Sequence, residues 1–156
     1  MPKKDYYDDP SAPSANSLVV AVAAVVQNDQ GDVLMIERTD NGLWAIPGGA
    51  QDIGETTREA VIREVEEETG LRVEITGVTG IYSDPRHVIA YDDGEVRQEF
   101  SITFEAKIVG GNVRTSSESK RVEWVSPERI PSLNIHPSVR LRIDHALEDR
   151  ESPYLS

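Results

Sequence analysis

Hydrophobic runs and polar breaks divide the chain into strands around one clear helical segment. Residues 17–27, SLVVAVAAVVQ, form an apolar run, and after the turn Asn28-Asp29-Gln30-Gly31 a second run extends from Val33 to Arg38. These two read as strands of a hairpin. Thr39 to Gly42 is a polar turn, and Leu43 to Ile46 is a short strand leading into Gly48-Gly49. The period then changes. Ala60, Val61 and Val65 put an apolar side on a helix. Thr56 with Glu59 fits a capping box that starts this helix just after Glu55, and Gly70 ends it. Alternation resumes from Arg72 to Tyr82, and His87 to Tyr91 with Glu95 to Val109 flank the turn Asp92-Asp93-Gly94 as a second hairpin. Gly110-Gly111-Asn112 marks another turn, Arg121 to Val125 a last strand, and a turn of helix is expected near Pro127. Pro137 to Asp149, with Val139, Leu141, Ile143, Ala146 and Leu147, predicts a closing helix with proline in its first turn. Mixed strands with two segregated helices predict an α+β layer structure.

The remaining residues form the ends. Residues 1–16, MPKKDYYDDPSAPSAN, are polar, contain three prolines and show no apolar period, so they are expected to be a disordered N-terminal tail. Residues 17–150 are expected to form one domain and 151–156 a C-terminal tail. The 156 residues are enough to bury a core. The apolar run Leu18 to Val26 is too short to cross a bilayer, and the two N-terminal lysines do not make a signal peptide. A net charge of −12 argues against nonspecific binding to nucleic acid or to an anionic membrane, since both need clustered cations. The absence of cysteine excludes disulfides, thiolate catalysis and cysteine-ligated zinc, and is consistent with a cytoplasmic location. The long apolar strands would permit a homodimer.

Within the helix, Glu64, Glu67 and Glu68 lie at i, i+3 and i+4 and therefore share one face. Like charges so placed repel, and Glu66 to Glu68 also sit near the helix C-terminus, where the backbone dipole disfavours negative charge. A hard divalent cation with oxygen ligands would turn that repulsion into a binding site. A solvated acidic face is the plainer reading of a glutamate run, and the flanking residues decide against it.

Those residues are Gly49, Glu55, Arg63, Glu64, Val65, Glu67, Glu68, Gly70 and Leu71. Their spacing resembles the Nudix hydrolases, whose signature is G-x5-E-x7-R-E-U-x-E-E-x-G-U with U aliphatic. Nine specified positions make a far more specific signal than a lone glycine pattern. The resemblance implies a mixed β-sheet sandwiched between α-helices and a reaction that hydrolyses a nucleoside diphosphate linked to another moiety. It implies Mg2+, with Mn2+ as a substitute, held by Glu64, Glu67, Glu68 and the Gly49 carbonyl. Arg63 then orients the box carboxylates. The general base varies among family members between a box glutamate such as Glu64 and a glutamate in a later loop. Glu118, just ahead of the Val122 to Val125 strand, is the later candidate here, and an ordinary loop residue is its other reading.

Arg38, Tyr82, Arg86, His87 and Arg97 are candidates to hold phosphate or stack on a base, each against the alternative of an ordinary surface or strand residue. His136 and His145 have no second histidine at ligand spacing, so no zinc site is read from them. Trp44 and Trp124 read as packing residues, with Trp44 close enough to the glycine loop to wall a pocket. The arrays that mark NADH-type and coenzyme A-type family members are absent. Pro85 lies near the position where ADP-ribose-type members carry a proline, and an ordinary loop proline is its equal alternative. ADP-ribose or a nucleotide sugar is placed slightly ahead of nucleoside triphosphates. A noncatalytic nucleotide sensor is the alternative, although it predicts loss of box carboxylates and all are present. An acidic domain that docks a protein through the glutamate ridge leaves the glycine loop unexplained.

Overall fold

A computed structural model describes residues 3–148 and 150–156. Strand β2, Ser17–Val26, and strand β3, Val33–Arg38, carry the apolar runs, and both are buried on two faces. Such strands read as continuous hydrophobic segments, because neither face needs polar residues. Alternate residues feed two cores. Val22, Ala24, Val26 and Leu34 pack with Ala60, Val61 and Val65 of helix α1, Thr57–Thr69. Ala23, Val25, Val33 and Met35 face the other way, toward Ile143 of helix α2, Pro137–Leu147. The strands are thus sandwiched between the two helices.

The expected hairpin of β2 with β3 does not form. β2 runs parallel to β8, Val96–Gly111, and antiparallel to β5, Gly48–Ala50. β3 joins a separate sheet between β4, Trp44–Ala45, and β9, Ser119–Val125. Only one bridge, Gln27 to Val33, links the two runs. Where both faces of a strand are buried, alternation does not say which neighbour lies beside it, and here the neighbours come from distant segments. The second expected hairpin does form, with β7, His87–Tyr91, antiparallel to β8. β8 continues through Gly110 and Gly111 to pair with β6, Leu71–Tyr82. The helical turn expected near Pro127 lies slightly later, as a 3-10 segment at Ile130–Ser132. Helix α2 ends at Leu147, and Asp149, where it was expected to end, lies outside the described residues.

Both ends of the chain differ from the expected tails. Lys3–Tyr7 forms strand β1, antiparallel to β7, and Tyr154–Leu155 forms β10, parallel to β6. Neither segment has an apolar period, because each is an edge strand held by backbone pairing and by a few side chains. Asp5 is one of these, accepting from His87 Nε2 at 3.0 Å. The larger sheet therefore runs β5-β2-β8-β7-β1. No helix among the described residues is long and apolar enough to cross a membrane.

Candidate active site

Helix α1 is set by local chemistry. The Glu59 amide donates to Thr56 Oγ1 at 3.1 Å, the Thr56 amide donates to Glu59 Oε1 at 3.1 Å, and Gly70 closes the helix at φ +81°. Only glycine reaches that conformation without strain. Burial of Ala60, Val61 and Val65 then draws Glu64 and Glu68 inward, where they are 9% and 2% exposed. Glu67 stays outside, with 58% of its side chain exposed.

The glycine loop meets these carboxylates directly. The Gly48 amide donates to Glu68 Oε1 at 2.9 Å. A Cβ on Gly49 would lie 2.6 Å from Glu64 Cδ, and one on Gly48 would collide with the Val22 carbonyl oxygen. The two glycines lie in strand β5, and close approach is what requires them there. Burial pushes the Glu68 carboxyl up to about 8; the Gly48 amide offsets this in part and the nearby Glu64 adds to it. Burial also raises Glu64, opposed by its hydrogen bond from Arg63.

One guanidinium ties the box together. Arg63 grips Glu55 with Nε at 2.7 Å and Nη2 at 2.9 Å, and its Nη1 reaches Glu64 at 2.9 Å and Glu67 at 3.2 Å. Nη2 also donates to the Ala50 carbonyl at 3.2 Å. The fork holds Glu55 down at about 2. Loop, helix start and helix face are therefore clamped by a single planar group, which a lysine could not reproduce.

Beside the box opens a cavity of about 700 Å3, within the range for small-molecule sites. It spans the larger sheet from Gly48–Ala50 on β5 to Asp5 on β1. Four strand spacings make this roughly 19 Å. Glu118 and Arg38 line it, with Arg38 gripping Asp40 at 2.8 and 2.9 Å and lying close enough to feel the charges of Glu68 and Glu118. Arg97 also lines it, paired twice with Glu95 at 3.0 Å and lying over the Tyr91 ring. His87 and Trp44 complete the set of sequence candidates on its wall, and Trp44 is at the same time part of a core. Trp124 packs on the α1 side.

Two candidates fall elsewhere. Arg86 lines neither this cavity nor a smaller one near α2, and its fork is taken by Asp84 at 3.0 and 3.1 Å. Tyr82 borders only the smaller cavity, where its hydroxyl meets His145 Nδ1 at 2.8 Å and burial pushes its pKa up to about 12.

The cavity also holds residues that spacing did not indicate. His136, on the loop entering α2, approaches Asp5 Oδ1 at 3.4 Å, and its ring stacks on His87 at 5.4 Å. Burial alone would raise the Asp5 carboxyl, but hydrogen bonds from His136 and His87 outweigh it and hold Asp5 well below the usual carboxylate range. The trio has the composition of a metal site. However, His136 Nδ1 accepts the Ser138 amide as the cap of α2. Neutral His136 therefore carries its proton on Nε2, which leaves that nitrogen no lone pair for an ion. The trio acts as a hydrogen-bonded clasp that holds β1 against the body. Arg142 and Glu99 line the same region. Arg142 gave one sequence signal, a charge on the apolar stripe between Val139 and Ala146; Asp5 and Glu99 gave none.

Known proteins share this pattern. The NUDIX domain profile matches residues 17–145. A MutT-like protein of Streptomyces ambofaciens is 41% identical over 111 residues, 71% of this chain and 66% of that protein. An ADP-ribose pyrophosphatase of Methanocaldococcus jannaschii is 36% identical over 122 residues, 73% of this chain and 65% of that protein. The chain thus spans just under two thirds of the length of these relatives. The crystal structure of an ADP-ribose pyrophosphatase from Streptococcus suis superposes with a TM-score of 0.67 at 20% identity, covering 88% of this chain and 98% of the other, a likeness of fold. With the profile spanning most of the chain and the box complete on α1 and its glycine loop, the protein belongs to the Nudix family.

Proposed function

We propose that this chain is a divalent-cation-dependent pyrophosphohydrolase that cleaves a nucleoside diphosphate linked to another moiety. ADP-ribose or a nucleotide sugar stands ahead of nucleoside triphosphates. The observation that carries the reading is the pair of buried carboxylates, Glu64 and Glu68, set against the Gly48-Gly49 backbone beside a nucleotide-sized cavity. A carboxyl that burial pushes up to about 8 is only partly compensated by the Gly48 amide and by Arg38, and the donor set is all oxygen, which suits Mg2+ or Mn2+. Glu64, Glu67, Glu68 and the Gly49 carbonyl would hold the ion, which when bound neutralises diphosphate charge and acidifies a water. Arg63 keeps Glu64 and Glu67 oriented. The Glu118 carboxylate lines the cavity and takes the proton of the attacking water. Arg38 and Arg97 line the path of the phosphates. The ADP-ribose preference draws support from the named relative and from Pro85.

The test is incubation with ADP-ribose, nucleotide sugars, dinucleoside polyphosphates and nucleoside triphosphates, with and without Mg2+ or Mn2+, with products separated by chromatography. Metal-dependent cleavage of one class is expected. Binding of metal and nucleotide without cleavage of any would overturn the enzyme reading in favour of a sensor.

A further inference from the structure

At the β1 end of the cavity, opposite the box, two groups of opposite charge lie near each other with no ion pair or side-chain hydrogen bond among the described residues. Arg142 of α2 is 8% exposed, its Nε has no hydrogen-bond partner, and it belongs to none of the ion pairs among the described residues. Beneath it lies the Tyr82 ring, at 5.2 Å from the guanidinium carbon. Glu99 of β8 is half-buried and has neither an ion pair nor a side-chain hydrogen bond among the described residues. Both line the large cavity and also the small one beside it. Leaving a buried guanidinium unsatisfied is costly, so a group that arrives from the cavity is the natural acceptor.

Charge decides what that group is. A phosphate or carboxylate would gain from Arg142 but meet repulsion from Glu99 and from Asp5 close by. A cation would meet the guanidinium. Asp5 is already engaged by His87 and His136, so at this end the buried guanidinium of Arg142 offers a donor and the half-buried Glu99 carboxylate an acceptor. A neutral planar heterocycle that presents a hydrogen-bond acceptor next to a donor satisfies both, and every nucleobase has such an edge. The cavity runs from here across the sheet to the glycine loop, so a base at this end directs its diphosphate to the box.

We propose that Arg142 and Glu99 form a nucleobase subsite, with Arg142 donating to a ring nitrogen or carbonyl and Glu99 accepting from an amino or ring N–H. The assignment rests on the hydrolase reading for the direction of the substrate, but it is tested by binding alone. Dissociation constants of ADP, GDP, UDP, CDP and inorganic pyrophosphate are measured by calorimetry on the wild type, Arg142→Met and Glu99→Gln. At least one nucleotide should lose about ten- to a hundredfold in affinity in each variant, as expected for a hydrogen bond to a charged group, while pyrophosphate stays within about twofold. Equal loss for pyrophosphate and nucleotides, or no loss for any nucleotide, overturns the subsite. Arg142→Met keeps an apolar stem over the Tyr82 ring and removes a buried charge that has no ion pair, so it should still fold; if it does not, Glu99→Gln makes the comparison. A base-dependent loss in a protein that hydrolyses nothing leaves the subsite standing and removes the enzyme reading. Hydrolysis with variants blind to the base removes the subsite alone.

Discussion

At the β5 end of the cavity the box chemistry comes from one continuous segment, Gly49 to Leu71, whereas at the β1 end Asp5, His87, Glu99 and Arg142 come from four separate elements. Helical spacing creates the first cluster, and Arg63 joins most of its carboxylates in one network. Tertiary packing creates the second, where a clasp of Asp5 with two histidines sits beside Arg142 and Glu99, which form no ion pair among the described residues. The difference separates two ways of holding charge ready for a ligand. The box stores repulsion for a cation to relieve, and the far end stores an unmet donor and acceptor.

The largest effect is expected at the box. Glu67→Gln should preserve the fold, since it removes repulsion, and should cut metal-dependent turnover by orders of magnitude. Full turnover in this variant would erase the distinction between the two ends. Glu118→Gln should lower kcat by about a hundredfold without changing metal affinity, as loss of a general base does. A wild-type rate and pH profile would make Glu118 an ordinary loop residue.

A stability measurement reads the cost of burying the Glu68 carboxylate, to which the nearby Glu64 adds. The folded-state pKa of Glu68, about 8, lies above its ordinary value, so the folded protein binds the extra proton between roughly pH 4.5 and 8. Metal-free stability should therefore fall as pH rises through that window, by on the order of a few kcal/mol, with the full loss above pH 8. Denaturant titrations should show this slope in the wild type without metal, and its absence in Glu68→Gln. Added Mg2+ should restore stability to the wild type at pH 8 in a saturable way. A flat profile without metal would mean that the buried carboxyl is solvated after all. The smallest effect is expected at Arg86, whose guanidinium is exposed and already paired with Asp84: Arg86→Ala should leave KM and the unfolding temperature unchanged.

Legibility in the sequence follows the same division. The capping box, the Gly70 stop and the shared face of Glu64 and Glu68 are properties of neighbouring residues on one helix, and each stands where spacing placed it. Gly49 was legible as a required position of the box, while its close contact with Glu64, and that of Gly48 with the β2 backbone, belongs to the packed structure. Arg86 and Tyr82 carried the right chemistry and lie off the large cavity, because their side chains were captured by Asp84 and by His145. Asp5 lies in a segment without apolar period, and backbone pairing to β7 orders it all the same.

What the sequence determined by itself was the helix, its caps, its acidic face and the existence of the apolar strands, since these depend on interactions within a few residues or on the local hydrophobic pattern. What only the tertiary structure decided was which strands lie side by side, that both chain ends close onto the sheet, and that Glu99 and Arg142 meet one cavity. Those outcomes depend on contacts between segments tens of residues apart, where many pairings satisfy the same hydrophobic pattern and only the packed core selects among them.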